Sequence, residues 1–313
     1  MFFGTPEFAV ESLRTLVEGG YNIVGVVTMP DKPAGRGHHM YESDVKRYAV
    51  SQGLKVLQPV KLKDEEFVNE LRGLGADLQI VIAFRMLPEV VWAMPRLGTF
   101  NLHASLLPKY RGAAPINWAV MNGDSETGIT TFFLKHEIDT GDVIEQRRVE
   151  IGRHDNVGDI HDRLMVMGAE MVRDTVDKIL SGTVKPIPQA DMLSAGEEPT
   201  PAPKIFKETC RIDWNRTAEQ VYNHVRGLSP YPAAWTQLVS TDGTKHDVKI
   251  FATSEPVAKP NATPGRITAT PKQMLIDCAD GAIEILSVQL AGKIRMDAEA
   301  FMRGFPLDGF KAE

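Results

Sequence analysis

Apolar runs alternate with amphipathic stretches over the first half of the chain. Residues 7 to 18 place four apolar side chains on one face and end at two glycines, which predicts a helix. Alternation of such helices with short apolar strands is typical of βαβ units around a parallel sheet. The predicted strands are Asn22 to Thr28, Asp77 to Ala83, Thr99 to Leu102 and Gly128 to Phe133. We therefore predict an α/β, Rossmann-like, parallel-sheet N-terminal domain with helices on both faces of the sheet.

A long helix and then a linker follow in the pattern. Residues from Asn156 to Ser181 keep apolar side chains on one face, with Thr175 as the single polar gap. We interpret this methionine-containing stripe as core rather than as a docking surface. Residues 190 to 203 combine small, acidic and proline residues without periodicity, which is typical of a linker. We therefore predict a domain at 1–189, a linker at 190–203 and a second domain at 204–313.

The second domain has the pattern of a β-barrel. A short helix is predicted from Ala218 to Arg226, and brief β-rich runs separated by turn residues follow it. This spacing predicts a small closed or half-closed C-terminal β-barrel, OB-like in type. The runs are Ala234 to Val239, Asp247 to Ala252, Gly265 to Thr268, Met274 to Cys278 and Ile283 to Gln289.

Composition narrows the class of protein. The hydrophobic fraction of 43% and the charged fraction of 24% are those of an average globular chain of 313 residues. No apolar run reaches the roughly 18 residues that a membrane span needs, and no signal peptide opens the chain. Cys210 and Cys278 lie far apart, without metal-ligand spacing. We expect a cytoplasmic monomer without a metal site or a disulfide framework.

The charge is unevenly distributed. The net charge of -6 argues against a general nucleic-acid binder, because such proteins are usually basic. Residues 204 to 313, however, contain 14 Lys and Arg against 13 Asp and Glu, whereas the rest of the chain contains 21 against 28. A polyanionic partner is therefore expected to contact the second domain or local basic loops.

Candidate chemistry lies where a predicted strand runs out. Asn101 and His103 share one face of the strand because they are two residues apart, and Asp139 follows in the turn HEIDTGD. An amide, an imidazole and a carboxylate without a neighbouring Ser or Cys nucleophile suit direct acyl transfer to an amine. Asn101 would hydrogen-bond the oxyanion, His103 would donate a proton to it, and Asp139 would help to remove the amine proton.

Two other interpretations of these motifs stay open on spacing alone. A single histidine at a strand end is more often a structural hydrogen-bonding group, and Asp-Thr-Gly is an ordinary turn sequence. Gly4-Thr5-Pro6 resembles the start of a nucleotide-binding turn. The GxGxxG fingerprint is absent, however, and Pro6 lacks the backbone donor that a phosphate would need, so a dehydrogenase is disfavoured.

Motifs along nearly the whole chain resemble those of the methionyl-tRNA formyltransferases, within the folate-dependent formyltransferase family. They are GTPEFA at Gly4, MPDKPAGRG at Met29, NLHASLLPKYRGAAP at Asn101, ETGIT at Glu126, DTGD at Asp139, RIDW at Arg211 and LAGKIRM at Leu290. The core NxH with SLLP and a downstream DxG is shared with formyltransferases that act on glycinamide ribonucleotide or amino sugars. The resemblance implies transfer of a formyl group from 10-formyltetrahydrofolate to methionyl initiator tRNA, for translation initiation.

The resemblance also assigns roles to residues. Asn101, His103 and Asp139 match the catalytic residues of the family. The tetrahydrofolate-binding segment corresponds to Ser105, Leu106, Leu107 and Pro108. Pro108 is expected in an ordinary turn, with a cis bond before it as the alternative. The residues expected to contact tRNA are Lys32 and Arg36 in the loop from Pro30 to Met40, and Lys293 and Arg295 in the second domain.

The chain departs from the family pattern at three places. It contains AFRMLP from Ala83 to Pro88, where AYGxxLP is common, and Ser43-Asp44-Val45 for Ser-Pro-Val. Ile294 replaces a common lysine. Two alternative functions are kept, namely a related formyltransferase acting on a small amine and a folate-binding or tRNA-binding module without turnover. The presence of all three reaction-centre residues argues against the module.

Overall fold

The computed structural model describes residues 1–34, 39–194, 196 and 198–313. These residues form two compact units, and each unit is discontinuous in sequence. The first unit comprises Met1–Gly112, Thr127–Val149 and His161–Ala202, and the second comprises Ala113–Glu126, Glu150–Ile160 and Pro203–Glu313.

Among the described residues, eleven strands and six helices lie between Met1 and Ala202. The strands are β1 Phe2–Gly4, β2 Val26–Val27, β3 Lys32–Ala34, β4 His39–Tyr41, β5 Val56–Leu57, β6 Gln79–Ile82, β7 Thr99–His103, β8 Arg111–Gly112, β9 Glu126–Phe133, β10 Val143–Glu150 and β11 Pro201–Ala202. The helices are α1 Glu7–Glu18, α2 Asp44–Ser51, α3 Glu65–Gly73, α4 Glu89–Trp92, α5 Pro115–Met121 and α6 Val157–Leu180, with a 3₁₀ turn at Gln189–Met192.

The first unit is built on a Rossmann-like sheet in the order β10-β9-β7-β6-β1-β2-β5. Strands β5, β2, β1, β6 and β7 are parallel, as predicted. The strand predicted at Gly128 to Phe133 does not continue this pattern, because β9 is antiparallel to β7. The reason is that α5, the helix between these two strands in sequence, packs on α7 of the second unit and does not form a crossover on this sheet, so β9 begins at the edge where β7 ends.

The predicted helices of this part are confirmed. Helix α1 has the predicted bounds, and α6 spans 24 residues within the predicted range. Leu164 and Met171 of α6 are fully buried. The polar gap at Thr175 is also buried, and its hydroxyl lies 3.0 Å from that of Thr131 on β9. A paired hydroxyl is therefore accommodated in a stripe that otherwise packs in the core.

The second unit contains a nearly closed antiparallel barrel, as predicted. Its remaining elements are α7 Ala218–Leu228, β12 Ala234–Val239, β13 Lys245–Thr253, β14 Val257–Ala258, β15 Ile267–Ala269, β16 Met274–Asp277, β17 Gly281–Leu290, β18 Met296–Asp297, α8 Ala298–Gly304 and β19 Lys311–Ala312. The sheet runs β15-β16-β17-β13-β12-β19. A bridge between Arg266 and Lys311 brings its first and last strands together, and the Ala312 amide donates to the Gly265 carbonyl at 2.8 Å.

Two segments that precede residue 203 also belong to the second unit. Helix α5 packs on α7, where the Asn117 side-chain amide donates to the Gly227 carbonyl at 2.8 Å. A Cβ atom at Gly227 would lie 2.4 Å from the Met121 side chain, so the two helices approach closely. The Arg226 guanidinium donates to the Asp155 carbonyl at 3.0 Å. The functional domain boundaries at 190–203 stay a prediction.

Candidate active site

Strand β7 presents two polar side chains on one face. Phe100 and Leu102 alternate with Asn101 and His103. A Cβ atom at Gly168 would lie 2.8 Å from Leu102, so helix α6 covers the apolar face of this strand. Asn101 and His103 therefore point away from α6, and Asn101 is half-buried.

The imidazole of His103 is oriented by the loop after β7. Its Nε2 lies 2.8 Å from the Tyr110 carbonyl. A carbonyl oxygen only accepts, so Nε2 carries the hydrogen and Nδ1 is turned to the other side. The side chain of His103 is 8% exposed, and Nδ1 lies 3.9 Å from Oδ2 of Asp139. The structure thus brings the predicted histidine and carboxylate together.

The carboxylate of Asp139 is held by a backbone amide. Its Oδ2 accepts from the Gly112 amide at 2.9 Å. Gly112 has φ +128°, and a Cβ atom there would lie 2.5 Å from the Ala202 carbonyl oxygen, so only glycine fits. A Cβ atom at Gly141 would lie 1.6 Å from the Phe133 carbonyl oxygen. Glycine is therefore required at positions 112 and 141, because another stretch of backbone approaches each of them closely.

Gln189 is a site residue that the sequence did not reveal. Its side-chain amide nitrogen donates to the carbonyls of Asp139 and Gly141, at 2.8 Å each. Its oxygen accepts from Arg111 Nε at 3.0 Å and from a terminal Arg111 nitrogen at 2.7 Å. Gln189 is 2% exposed. We call Gln189 and Arg111 the glutamine clamp; no periodicity or motif marks it, because its partners lie about 50 and 80 residues away in sequence.

The predicted folate-binding segment forms a hydrogen-bonded loop. Ser105 donates to the Lys109 carbonyl at 2.6 Å, and Leu107 donates to the Thr130 hydroxyl at 3.1 Å. The Leu107–Pro108 bond is cis, so the expectation of an ordinary turn is wrong. Leu107 packs in the core with Phe132 and Val143, whereas Leu106 is half-buried.

A cavity of about 550 Å³ opens beside the loop after β6. It is lined by Leu62, Lys63 and residues 85 to 90. The Arg85 guanidinium donates to the carbonyls of Val60, at 2.8 Å, and Pro59. Burial lowers the pKa of Arg85. The departure from the family pattern at AFRMLP therefore contributes a fixed cation to this cavity.

The residues predicted to contact tRNA are exposed where they are described. Lys32 lies on β3, and Lys293 and Arg295 lie between β17 and β18. The Arg295 guanidinium carbon lies 4.4 Å from the centroid of the Phe251 ring. Arg36 lies outside the described residues. Within the described ranges, no cluster of His, Cys, Asp and Glu is suited to a metal ion, and no helix has the length and apolarity to span a membrane.

Two family models match the chain. The formyl transferase model matches residues 1–176, more than half of the chain, and the model of the formyl transferase C-terminal domain matches residues 204–306. The chain belongs to the formyl transferase family. The amide, imidazole and carboxylate around β7 stay the predicted reaction centre of this formyl transferase.

Curated relatives of this formyl transferase are similar over their full length. The chain is 62% identical to a protein of Bacteroides thetaiotaomicron named methionyl-tRNA formyltransferase, covering 99% of this chain and 97% of the relative. It is 51% identical to a protein of that name from Azobacteroides pseudotrichonymphae, over 97% and 95%. A Porphyromonas gingivalis protein of that name is 49% identical over 98% and 95%.

Solved structures share the fold of this formyl transferase. A sugar 3N-formyl transferase, WlaRD, in the presence of dTDP and 5-N-formyl-THF has a TM-score of 0.66 at 17% identity, covering 94% of this chain and 97% of its own. HypX from Aquifex aeolicus in complex with tetrahydrofolic acid has a TM-score of 0.60 at 21% identity, over 96% and 46%. At these identities the likeness establishes the fold alone.

Proposed function

We propose that this formyl transferase moves the formyl group of 10-formyltetrahydrofolate to the α-amine of methionyl initiator tRNA, for translation initiation. The observation that carries the proposal is the full-length identity of 62% to a methionyl-tRNA formyltransferase. It is supported by the juxtaposition of His103 and Asp139 beside the strand that bears Asn101. Catalysis is assigned to residues 1–189 and tRNA binding to residues 204–313, joined by the linker 190–203.

The reaction replaces one bond to the formyl carbon by another. The amine nitrogen bonds to this carbon and loses a proton, while the bond from the carbon to the folate nitrogen breaks and that nitrogen gains a proton, so that tetrahydrofolate leaves. Negative charge develops on the formyl oxygen, where the Asn101 amide donates a hydrogen bond. Nδ1 of protonated His103 donates to the same oxygen, because Nε2 is already occupied by the Tyr110 carbonyl.

Asp139 has two tasks in this proposal. Its carboxylate lies 3.9 Å from Nδ1 of His103, beyond hydrogen-bonding distance but close enough to stabilise a positive imidazole. The same carboxylate accepts the proton that the amine loses. The hydrogen bond from Gly112 keeps the carboxylate at this position.

The residues beside β7 fit a reduced folate. The cavity of about 550 Å³ after β6 is within the usual size range of small-molecule sites, and β6 is the direct parallel neighbour of β7. Leu62, Leu87 and Val90 provide apolar walls for the rings, and Arg85 and Lys63 provide cations for the carboxylates of the folate tail. Leu106 to Pro108 would complete the pterin side. The folate supplies the one-carbon unit.

A related enzyme that formylates a small amine, an amino sugar or glycinamide ribonucleotide, is not favoured. The sugar transferase compared above is 17% identical, whereas the methionyl-tRNA formyltransferases are 49% to 62% identical over nearly the full chain. Lys32, Lys293 and Arg295 are exposed cations suited to tRNA phosphates, and the loop that contains Arg36 is assigned to the acceptor end.

The test is a comparison of acceptors. The purified protein is incubated with 10-formyltetrahydrofolate and either methionyl initiator tRNA or small amines, and formylated product is quantified. We expect product with the charged tRNA. Formylation of a small amine alone would show that the acceptor is assigned wrongly, and absence of any product would support a binding module.

A further inference from the structure

The barrel of the second unit carries a groove on its outer face, with a volume of about 600 Å³. Trp235 on β12 is paired with Lys249 on β13, which is paired with Gln289 on β17. The neighbours of Trp235 along the strand, Ala234 and Thr236, are fully buried. Strand alternation therefore turns Trp235, Lys249 and Gln289 outward, side by side across three strands.

Three aromatic residues, Phe206, Tyr231 and Trp235, line this groove. Tyr231 is 81% exposed and Phe206 is 58% exposed. Trp235 is held in place, because its indole nitrogen donates to the Lys207 carbonyl at 2.7 Å. Tyr231 precedes β12 and Phe206 lies outside the strands, so the exposed parts of their rings offer flat faces beside the half-buried Trp235. Such faces are typical of binding sites rather than of ordinary surface.

Cations surround the rings. The Lys207 ammonium lies 5.1 Å and the Arg211 guanidinium carbon 5.5 Å from the centroid of Trp235. The Lys204 ammonium lies 5.6 Å from the centroid of Phe206. Lys249 extends the positive charge along the groove. The carboxylate of Asp247 also lines it, and the Gln237 side chain donates to this carboxylate at 2.9 Å.

Rings flanked by cations match the chemistry of a single-stranded nucleotide. A base stacks on an aromatic face, and Lys and Arg neutralise the adjacent phosphates. An OB-like barrel commonly binds nucleic acid on such an outer strand face. A base inside a double helix is unsuited, because both of its faces are already stacked on neighbouring base pairs. Charge complementarity therefore favours a polyanion with an accessible base.

We infer that this groove binds an unpaired nucleotide of the tRNA, with its base stacked on Trp235 and its flanking phosphates contacted by Lys207 and Lys249. The inference rests on the proposed function for the identity of the nucleic acid. It adds an anchoring contact for the tRNA body that is independent of the reaction centre.

The experiment measures binding of uncharged initiator tRNA to full-length variants by fluorescence anisotropy. Trp235→Leu is expected to weaken binding by ~5- to 150-fold, the usual loss for one stacked base, whereas Trp235→Phe retains a ring and stays close to wild type. Lys249→Ala is expected to weaken binding and to reduce its salt dependence. Lys272→Ala, which removes an exposed lysine outside the groove, is the matched control and is expected to bind as wild type.

Turnover gives a second readout. In steady-state formylation, Trp235→Leu is expected to raise the KM for charged tRNA while leaving kcat and the KM for folate unchanged. A single-stranded RNA of about eight nucleotides is expected to bind more tightly than a duplex of the same length. Binding is measured without turnover, so a failure of the proposed reaction would be seen separately, as absence of formylation by the wild-type protein.

Trp235 also packs against the barrel core, so thermal unfolding of each variant is recorded. If Trp235→Leu does not fold, Lys249→Ala decides, because Lys249 is exposed and is assigned a flanking phosphate. Wild-type affinity of folded Trp235→Leu or of Lys249→Ala would overturn the inference. Equal binding of duplex and single strand, or competition by a free mononucleotide as strong as that by tRNA, would also overturn it.

Discussion

Two side chains of the proposed reaction centre, His103 and Asp139, are oriented by main-chain groups more than by one another. The Tyr110 carbonyl sets the hydrogen position on His103, and the Gly112 amide holds Asp139. Tyr110 and Asp139 both have positive φ, +60° and +55°, which is uncommon for residues with a Cβ atom. Such backbone conformations cluster at functional sites, where the surrounding structure compensates their cost. Here the local backbone conformation orients the imidazole of His103 and the carboxylate of Asp139.

At this scale Asn101 gives the sharpest prediction. Asn101→Ala removes one donor to the developing oxyanion and is expected to lower kcat by ~10²- to 10³-fold. Folate binding and the thermal midpoint should change little, because the side chain is half-buried on the face away from α6. Single-turnover formylation and a folate titration measure the two effects. Asn69→Ala, at an exposed helix position, is the control, and an unchanged kcat in Asn101→Ala would remove Asn101 from the mechanism.

Among the elements, the glutamine clamp joins the 3₁₀ turn at Gln189–Met192 to the Asp139 loop. Gln189→Ala removes donors to two carbonyls and the acceptor of Arg111, all of them buried or partly buried. We expect a loss of ~1–3 kcal/mol in unfolding free energy and a fall in kcat, since the loop is freed. The KM for tRNA should be unchanged. Gln189 is a positioning residue, because it acts through Asp139.

A second substitution separates positioning from packing. Gln189→Glu keeps an acceptor for Arg111 but places carboxylate oxygen against the carbonyls of Asp139 and Gly141, so kcat should fall at least as far as in Gln189→Ala. Gln273→Ala, which loses a side-chain hydrogen bond to Glu284 in the second unit, is the control for stability. Wild-type kcat in folded Gln189→Glu would rule out the positioning role.

The elements also show what periodicity can and cannot predict. Helices α1 and α6 and strand β12 were predicted nearly to the residue, because one face of each is buried against a single core. The antiparallel direction of β9 was not predicted, since it depends on a chain path rather than on a local pattern. The strand pair β3 and β4, with three residues each, is too short for alternation to be recognised. Asn101, His103 and Asp139 were predicted from strand-end chemistry and resemblance, whereas Gln189 depends on contacts distant in sequence.

For the whole molecule, His224 predicts a dependence of stability on pH. Burial lowers its pKa from 6.5 to about 4. The folded protein therefore binds this proton less readily than the unfolded chain, so the contribution to stability is complete above pH 6.5 and is lost as the pH falls towards 4. The loss is on the order of 3 kcal/mol.

Urea denaturation between pH 7 and pH 4.5 measures this effect. His224→Gln is expected to flatten the decline of unfolding free energy below pH 6.5, whatever its own stability at pH 7. His161→Gln, at a half-buried histidine in the first unit, is the matched control. Parallel slopes in wild type and His224→Gln would assign the acid sensitivity to other groups.

The pairing of α5 with α7 has a consequence for protein engineering. Asn117 bonds to Gly227, and Met121 fills the space that a side chain at Gly227 would need. A segment cut at residue 203 would leave this face of α7 uncovered and would lose α5 as well as residues 150–160. Recombination between relatives at the predicted linker would therefore separate helices that pack on each other. Chimeras that exchange 113–126 and 150–160 along with 203–313 should retain the packing of α5 on α7 and should therefore fold.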